Sequence, residues 1–470
     1  MVSCRPAVQP SMMVCALVLL LLLSLHQHSA ALPCPTAPAR DPDGRFFARM
    51  ADLVVSHGYP LEEHFVETVD GYILRMFRIP HGRTRRLQQH KRRWQAPARH
   101  LLSWLWSSRR SSRRQMGGGS QAATAAAAGA AMRPVVHLQH GLLGSSTDWV
   151  LNGPGFSLPF LLADAGYDVW FGNVRGNTFS RNHSSLGLLD PRFWAFSWDE
   201  MAERDLPSML TQELLLSGAA EVAYVGHSQG TTLGMAFLAT QAGSGLAERV
   251  KVAVLLAPVA FVTHVDSVPL LTLAQFNTDQ IFTLLGFHEF MPSIEVLSKL
   301  EGQLCKLQPA LCVNILAAIC GYNPSNLDQQ RLPTYVNYTP SGTSVQNMAH
   351  WSQAVRQPGE GVMRHYDYGI SCRTLLDTPR PCNQAVYGRL VPPMYNLSAI
   401  ANQLVLFTGG EDRLADPRDL ELMLKVLPSR HILLHQHFPD YEHLDFIWGI
   451  NAAHRVYARV LDVLGALHGS

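Results

Sequence analysis

The chain shows a recurring pattern of short apolar runs, most of them continuous and bounded by glycine or proline. The runs are "GYILRMFRIP" (71–80), "VVHLQHG" (135–141), "GYDVWFGN" (166–173), "EVAYVGHSQG" (221–230), "KVAVLLAP" (251–258), "NQLVLFTGGED" (402–412) and "RHILLHQHF" (430–438). Such runs are typical of strands buried on both faces of a sheet. Plausible helices, such as 200–217 and 231–242, lie between them. Alternating strands and helices predict an α/β fold with a mostly parallel central sheet.

Between residues 259 and 393 this alternation stops. The stretch is long, rich in Leu, Phe and Ile, and holds five of the six cysteines that follow residue 31. We interpret it as a mostly helical insertion above the sheet, forming a cap. The core is then expected to comprise residues 32–82, 133–258 and 394–470.

The basic residues are unevenly distributed. The net charge of the 470-residue chain is only +2, and 47% of its residues are hydrophobic, which suits a globular protein. However, 14 Lys and Arg lie between Asp70 and Asp148 with no acidic residue among them, against 24 basic and 36 acidic residues elsewhere. Residues 83–132 are of low complexity and are predicted to be a disordered insertion. The alternative is contact with anionic membranes through Trp104 and Trp106.

The first residues predict a route through the secretory pathway. Arg5 precedes an apolar run of about 12 residues from Val14 to Leu25, which is shorter than the roughly 20 residues that span a bilayer. Small residues follow, so we predict a cleaved signal peptide over residues 1–31, with an uncleaved anchor as the alternative.

Sequons and cysteines fit the same compartment. Asn-x-Ser/Thr sequons occur at Asn182, Asn337 and Asn396, which we predict to be glycosylated. The cysteines that follow the signal peptide show no zinc pattern, so disulfides are expected. They are Cys34, Cys305, Cys312, Cys320, Cys372 and Cys382. Cys305–Cys312 and Cys372–Cys382 are each close enough in sequence to close a small loop.

The candidate nucleophile lies in "GHSQG" (226–230), a G-x-S-x-G sequence. The motif alone is weak evidence, but here it follows the apolar run "VAYV" and precedes the credible helix "TTLGMAFLA". That context is the strand–turn–helix elbow that presents a nucleophilic serine, here Ser228. Glycines at both ends of the motif allow strand and helix to approach closely.

A serine hydroxyl needs a base and an orienting acid, which in this fold follow it in the order acid, then histidine. Asp412, directly after a strand and a Gly-Gly turn, is the preferred acid, with Asp416 and Glu411 as competitors. His443, on a loop past the final strand, is the preferred base. His435 and His437 alternate within a probable strand and are expected to be structural.

The oxyanion hole is expected to use the backbone N–H groups of Gln229 and Leu142. Gln229 follows the nucleophile, and Leu142 lies in the loop "HLQHGLLG" after an early strand. His140 is expected to brace that loop. We expect no metal, because no cluster of His, Cys and carboxylates has metal-ligand spacing. We also expect no cofactor and no nucleic-acid partner.

At these residues the chain resembles the acid lipase family of gastric and lysosomal acid lipases, within the α/β-hydrolase superfamily. The matching strings are "LQHGLLGSSTDWV", "LADAGYDVWFGNVRGNTFSR", "FWAFSWDEMAERDLP", "YVGHSQGTTLG", "SGTSVQNMAHWSQAV", "GGEDRLADPRD" and "EHLDFIWG". The resemblance implies an α/β-hydrolase core with a helical cap and lid, and lipid ester substrates. It places the nucleophile, acid and base on Ser228, Asp412 and His443, and the oxyanion donors on Leu142 and Gln229.

The resemblance also implies a cap disulfide, Cys305–Cys312, with Cys320 as a free thiol. Cys372 and Cys382 look additional to the family pattern, as does most of the segment from 83 to 132. The lid region, roughly 260–300, matches weakly.

The function predicted from the sequence is hydrolysis of lipid esters, such as triacylglycerols or cholesteryl esters, at an oil–water or membrane interface by a secreted or lysosomal enzyme. Two alternatives remain open. One is an esterase for short soluble esters that uses the same three side chains. The other is a catalytically silent lipid-binding protein, which the presence of all three side chains disfavours.

Overall fold

A nine-stranded sheet forms the centre of the protein. The computed structural model describes residues 45–83, 133–267, 271, 288–291, 323, 325–357, 359–373 and 379–468. The strands are β1 (Glu62–Glu67), β2 (Tyr72–Ile79), β3 (Val135–Gln139), β4 (Asp168–Gly172), β5 (Asn182–His183), β6 (Val222–His227), β7 (Val250–Leu256), β8 (Glu289–Phe290), β9 (Thr343–Ser344), β10 (Gln403–Gly409) and β11 (Ile432–Phe438). Strands β8 and β9 form a separate antiparallel pair.

The main sheet has the order β1-β2-β4-β3-β6-β7-β10-β11, with β5 paired to β2. Strands β4, β3, β6, β7, β10 and β11 run parallel, whereas β1, β2 and β5 join antiparallel. The mostly parallel sheet predicted from the sequence is therefore confirmed.

Helices cover both faces of the sheet. They are α1 (Arg45–Val54), α2 (Leu158–Asp164), α3 (Trp198–Glu200), α4 (Leu206–Ser217), α5 (Gln229–Thr240), α6 (Gly245–Glu248), α7 (Leu332–Tyr338), α8 (Val345–Arg356), α9 (Asn383–Tyr387), α10 (Pro417–Val426), α11 (Asp445–Trp448) and α12 (Ala458–His468). A π-helical turn, Met201–Asp205, joins α3 to α4. Helices α4 and α5 match the two helices predicted between strands.

The central strands are buried because both faces carry apolar side chains. Every residue of β3, β4 and β6 is buried. Alternate residues supply two separate cores: Tyr224 packs into one and Val225 into the other. In contrast, β11 at the sheet edge alternates between partly buried and exposed residues before it ends at the buried Phe438.

Strand β1 was not among the predicted strands. Its sequence, EEHFVE, carries three glutamates and lies at the opposite edge of the sheet. Arg78 of β2 pairs with Glu62 of β1 at 2.9 Å and with Asp168 of β4 at 2.7 Å. Ion pairs between side chains therefore join these three strands in addition to their backbone hydrogen bonds.

The predicted cap, residues 259–393, is described in part, and its role stays a prediction. It contains α7, α8, α9 and the β8–β9 pair. A disulfide joins Cys372 to Cys382. Four predictions lie outside the described residues: those for Cys305, Cys312, the signal peptide and residues 84–132.

No helix in the described part of the chain is long and apolar enough to cross a membrane.

Candidate active site

Ser228 occupies a strained turn between the end of β6 and the start of α5. Its φ of 55° and ψ of −124° are rare for a residue with a side chain and cost about 1–3 kcal/mol. The flanking glycines make the turn feasible. A Cβ on Gly230 would lie 2.4 Å from the carbonyl oxygen of Gln139, and one on Gly226 would lie 2.7 Å from the carbonyl carbon of Gly230. No larger residue fits between strand, helix and β3.

The side chains of Ser228, His443 and Asp412 form one chain of hydrogen bonds. Ser228 Oγ donates to His443 Nε2 at 2.7 Å. On the far side of the ring, His443 Nδ1 donates to the two oxygens of Asp412 at 2.9 and 3.0 Å. These contacts join residues separated by 215 and 31 positions in the sequence. The order along the chain and the spacing of atoms are those needed for general-base activation of a hydroxyl.

The groups around Asp412 keep its carboxylate ionised although the side chain is buried. Burial by itself raises the pKa of a carboxyl, but the adjacent His443 ring and the backbone N–H groups of Leu414 and Ala415 outweigh it and lower the pKa of Asp412. Those two N–H groups donate to Oδ1 at 2.9 and 2.8 Å. An ionised carboxylate here fixes the Nδ1–H tautomer of His443, so that Nε2 faces the serine as an acceptor.

His227, the residue before Ser228, lies behind His443. Its Nε2 donates to the backbone carbonyl of His443 at 3.1 Å, and the two ring centroids lie 5.1 Å apart. Burial and the neighbouring His443 ring lower the pKa of His227 to about 3. His227 is therefore neutral at any working pH and holds the main chain that carries His443.

The competing acids and histidines lie elsewhere. Asp416 caps α10 through the Arg418 N–H at 2.8 Å, as expected of turn and N-cap chemistry, and Glu411 is exposed. His435 and His437 are exposed on β11, where both contact Thr408 Oγ1. None of these four hydrogen-bonds to Ser228 or His443 in the described part of the chain.

The predicted oxyanion loop lies against the elbow. A Cβ on Gly141 would lie 2.9 Å from Ser228 Cβ, so this loop and the serine are in close contact. Leu142 follows directly, and Leu143 adopts a left-handed φ of 57°. Gln229 is the first residue of α5, so its N–H has no intrahelical acceptor.

His140 braces this loop, as the sequence predicted. Its Nδ1 donates to the carbonyl of Gly141 at 2.8 Å, and its Nε2 accepts from the Val174 N–H at 3.3 Å and from Asn177 Nδ2 at 3.1 Å. Burial lowers the pKa of His140 to about 4, which keeps the ring neutral and both contacts intact.

The side chain of Gln229 is held from the predicted cap, a feature that sequence reasoning missed. Its Oε1 accepts from Trp351 Nε1 at 2.7 Å and from Asn347 Nδ2 at 3.1 Å, both on α8. Its Nε2 contacts the sulfur of Met201 at 3.5 Å, in the π-helical turn. Asn347 and Trp351 are four residues apart and thus share a helix face, the only signal that the sequence offered.

Asp148 fastens the end of the same loop. Its Oδ2 accepts from the Ser145 N–H at 3.1 Å, and its Oδ1 accepts from the Thr339 hydroxyl at 2.8 Å. Nearby, the Ser341 N–H donates to the carbonyl of Leu143 at 2.7 Å. The oxyanion loop is therefore bonded to residues almost 200 positions later in the chain.

The three sequons lie at different depths. Asn396 is exposed, while Asn182 and Asn337 are partly buried; their glycosylation stays a prediction.

Within the described ranges, no group of three or more His, Cys, Asp or Glu side chains could hold a metal ion.

Comparison with known proteins places the chain in a family. Residues 134–450 match the model of the alpha/beta hydrolase fold, and residues 50–153 match that of a partial alpha/beta-hydrolase lipase region. The chain belongs to the α/β-hydrolase lipases. The family and fold class predicted from the sequence are therefore confirmed.

Several members of this lipase family match over nearly the whole chain. Human lysosomal acid lipase/cholesteryl ester hydrolase is 36% identical over 449 residues, covering 95% of this chain and 97% of that protein. Gastric triacylglycerol lipase of Bos taurus is 38% identical, covering 91% and 93%. Lipase member M of Mus musculus is 36% identical, covering 94% and 90%. The chain is thus similar to complete lipases rather than to one part of them.

The Gln229 contact predicts a kinetic effect of Trp351→Phe, which removes the indole N–H but keeps an aromatic ring. We expect kcat for a soluble ester to fall about tenfold with KM nearly unchanged, because Gln229, the predicted oxyanion donor, is less well fixed in the transition state. Trp194→Phe is the matched control, since Trp194 Nε1 donates to the carbonyl of Leu188, away from Gln229. Equal losses in both variants would contradict the effect.

Asp148 predicts a pH dependence of stability. Burial raises its pKa to about 7, although the Thr339 hydroxyl and the Ser145 N–H oppose the shift. The folded state then binds this proton more tightly than the unfolded state, whose pKa is about 4, so the stabilisation is present at acidic pH and is lost as pH rises toward 7.

Asp148→Asn removes this titration while keeping an oxygen for the Ser145 N–H. We expect the Tm of the variant minus that of the wild type to increase as pH rises from about 4 to about 7. Scanning calorimetry across that range measures the difference, and a difference that does not change with pH would refute the assignment.

Proposed function

We propose that this protein is a serine hydrolase of lipid carboxylic esters, with Ser228 as nucleophile, His443 as base and Asp412 as orienting acid. The observation that carries the proposal is the continuous hydrogen-bond chain from Ser228 Oγ through His443 to Asp412 at a strained elbow. Its relatives named above, a triacylglycerol lipase and a cholesteryl ester hydrolase among them, support lipid esters as the substrate class.

The reaction has two halves. In the first, His443 Nε2 takes the proton of Ser228 Oγ as this oxygen attacks the ester carbonyl carbon, and the carbonyl oxygen becomes an oxyanion. When the tetrahedral intermediate collapses, the bond to the alcohol oxygen breaks and His443 returns the proton to the leaving alcohol. In the second half, His443 deprotonates a water molecule, whose oxygen attacks the carbonyl carbon of the acyl-serine. When this second tetrahedral intermediate collapses, the bond to Ser228 Oγ breaks, His443 returns the proton to Oγ and the fatty acid leaves.

The oxyanion is stabilised by the backbone N–H groups of Leu142 and Gln229. These groups are fixed before the substrate binds, because Gln229 begins a buried helix and is held through its side chain, while His140 and Asp148 fasten the Leu142 loop. Preorganised donors of this kind need no rearrangement when negative charge develops, and each contributes about 10²–10³-fold to kcat.

We further propose that the enzyme works in the secretory pathway, as a secreted or lysosomal protein, at an oil–water or membrane interface. Relatives named lysosomal and gastric lipases support this placement, together with the predicted signal peptide and sequons. The alternative of an esterase for short soluble esters uses the same mechanism and differs in its preference for dissolved over emulsified substrate.

The nucleophile assignment is tested by Ser228→Ala. We expect release of fatty acid from emulsified triacylglycerol and cholesteryl oleate to fall about 10⁶-fold, because no other hydroxyl in the described part of the chain hydrogen-bonds to His443. Ser208→Ala, a helix serine whose hydroxyl bonds the carbonyl of Arg204, is the control and should keep full activity. Wild-type protein that is folded yet inactive on emulsified and soluble esters would favour the silent lipid-binding alternative.

The acid assignment is tested by comparing Asp412→Asn with Asp416→Asn. Asparagine at 412 cannot hold the Nδ1–H tautomer of His443, so we expect kcat to fall about 10⁴-fold. At 416, asparagine remains a good N-cap, so activity should stay near that of the wild type. Steady-state kinetics on a soluble ester distinguish the two, and the reverse order would transfer the role to Asp416.

A further inference from the structure

The strongest feature outside the active site is a set of exposed apolar side chains near the end of the predicted cap. Ile370 is 75% exposed, Leu390 59%, Val391 58% and Val386 47%. We call these four residues the apolar patch. Single exposed apolar residues are ordinary on a protein surface, whereas apolar residues that lie together in space mark an interaction site.

One buried asparagine brings the patch together. The Asn383 N–H donates to the carbonyl of Gly369 at 2.9 Å, next to Ile370. Its Nδ2 donates to the carbonyl of Leu390 at 2.8 Å, and its Oδ1 accepts from the Tyr368 N–H at 2.9 Å. The stretches around Ile370 and Leu390 are therefore both bonded to Asn383, and Val386 lies one turn after Asn383 on α9.

Further contacts fix the segment in a defined conformation. The disulfide joins Cys372 to the buried Cys382, and the Arg380 N–H donates to the carbonyl of Cys372 at 3.0 Å. The Tyr387 hydroxyl donates to the carbonyl of Tyr366 at 2.8 Å. These polar groups bond to one another within the segment, and the four apolar side chains face solvent.

The segment is attached to the helix that also borders the nucleophile. Gln353 of α8 bonds the main chain of Asp367 twice, accepting from its N–H at 2.8 Å and donating to its carbonyl at 2.9 Å. The same helix carries Trp351, which contacts Gln229. The segment with the apolar patch is therefore hydrogen-bonded to the helix that contacts Gln229, next to Ser228.

The segment that carries the patch is weakly cationic. Positions 367–394 contain three arginines, Arg373, Arg380 and Arg389, against two aspartates, Asp367 and Asp377. All three arginines are exposed. Apolar side chains that enter the acyl boundary, with cations at headgroup level, are the combination by which proteins bind anionic lipid surfaces.

We propose that the apolar patch and its arginines form a docking surface for anionic lipid surfaces. This inference rests on the proposed lipid ester substrate, because an enzyme for such esters must meet them at an interface. Binding of a second copy of the chain, or of a protein partner, would not require the arginines. The experiment must exclude both outcomes.

The test measures binding separately from hydrolysis. Glycosylated full-length protein carrying Ser228→Ala, so that the lipids stay intact, is mixed with vesicles of phosphatidylcholine alone or with added phosphatidylglycerol, and bound protein is measured by flotation. Measurements at high salt screen purely electrostatic binding, including any from residues 83–132, and leave the apolar contribution.

The key variant is Ile370→Ser/Leu390→Ser/Val391→Ser. We expect its affinity for both vesicle types to fall at least about tenfold, at low and high salt, because each apolar side chain buried in lipid contributes a comparable factor. The matched control, Val69→Ser/Leu189→Ser/Leu215→Ser, removes side chains that are 91%, 85% and 73% exposed elsewhere, and should bind like the parent.

A charge variant, Arg373→Gln/Arg389→Gln, should weaken binding to anionic vesicles about fivefold per charge and leave binding to neutral vesicles unchanged. The same substitutions in the Ser228 protein should leave kcat on a soluble ester and the Tm near their parent values, which shows that the variants fold.

Three results would overturn the docking surface. They are unchanged vesicle binding in the patch variant, an equal loss in the matched control, and a dimer in light scattering that the patch variant dissociates without loss of vesicle binding. Inactive wild-type protein would count against the proposed function but not against the docking surface, because flotation does not depend on turnover.

Discussion

The geometry of the site depends on how closely β6 and α5 approach β3. Only glycine fits at Gly226 and Gly230, and that lack of space turns the chain so sharply that Ser228 must adopt a left-handed φ. The strain, about 1–3 kcal/mol, is sustained because β3 and β7, which pair with β6 on either side, are almost entirely buried. The same contact brings Ser228 against the Gly141 loop, so the proposed nucleophile and the proposed oxyanion donors are positioned by one packing constraint.

Around that elbow, burial or hydrogen bonding holds the neighbouring groups in single protonation states. His140 and His227 are neutral because their pKa values are lowered, while the pKa of Asp412 is lowered by its hydrogen-bond partners. Asp148 differs, because burial raises its pKa toward the neutral range. The scaffold of the site thus carries one group whose titration favours the folded state at acidic pH.

Much of the fold and most of the candidate site could be predicted from the sequence, because both depend on local patterns. Continuous apolar runs such as 222–227 mark strands buried on both faces, and position relative to them selects Ser228, Asp412 and His443. Strand β1 was missed because its outer edge carries glutamates. The contacts of Gln229 and Asp148 were missed because Trp351 and Thr339 approach them only through tertiary packing, which no short-range pattern encodes.

The wide separation of Ser228 and His443 has a consequence for biosynthesis. The elbow leaves the ribosome 215 residues before the histidine that completes the hydrogen-bond chain. At about 5–20 residues per second, synthesis of the intervening chain takes roughly ten to forty seconds. During that interval Ser228 has no histidine to accept its proton, so the elbow alone cannot activate the hydroxyl. Because the hydrogen-bond chain joins distant parts of the sequence, the site can form only after residue 443 has been made and β10 and β11 have joined the sheet.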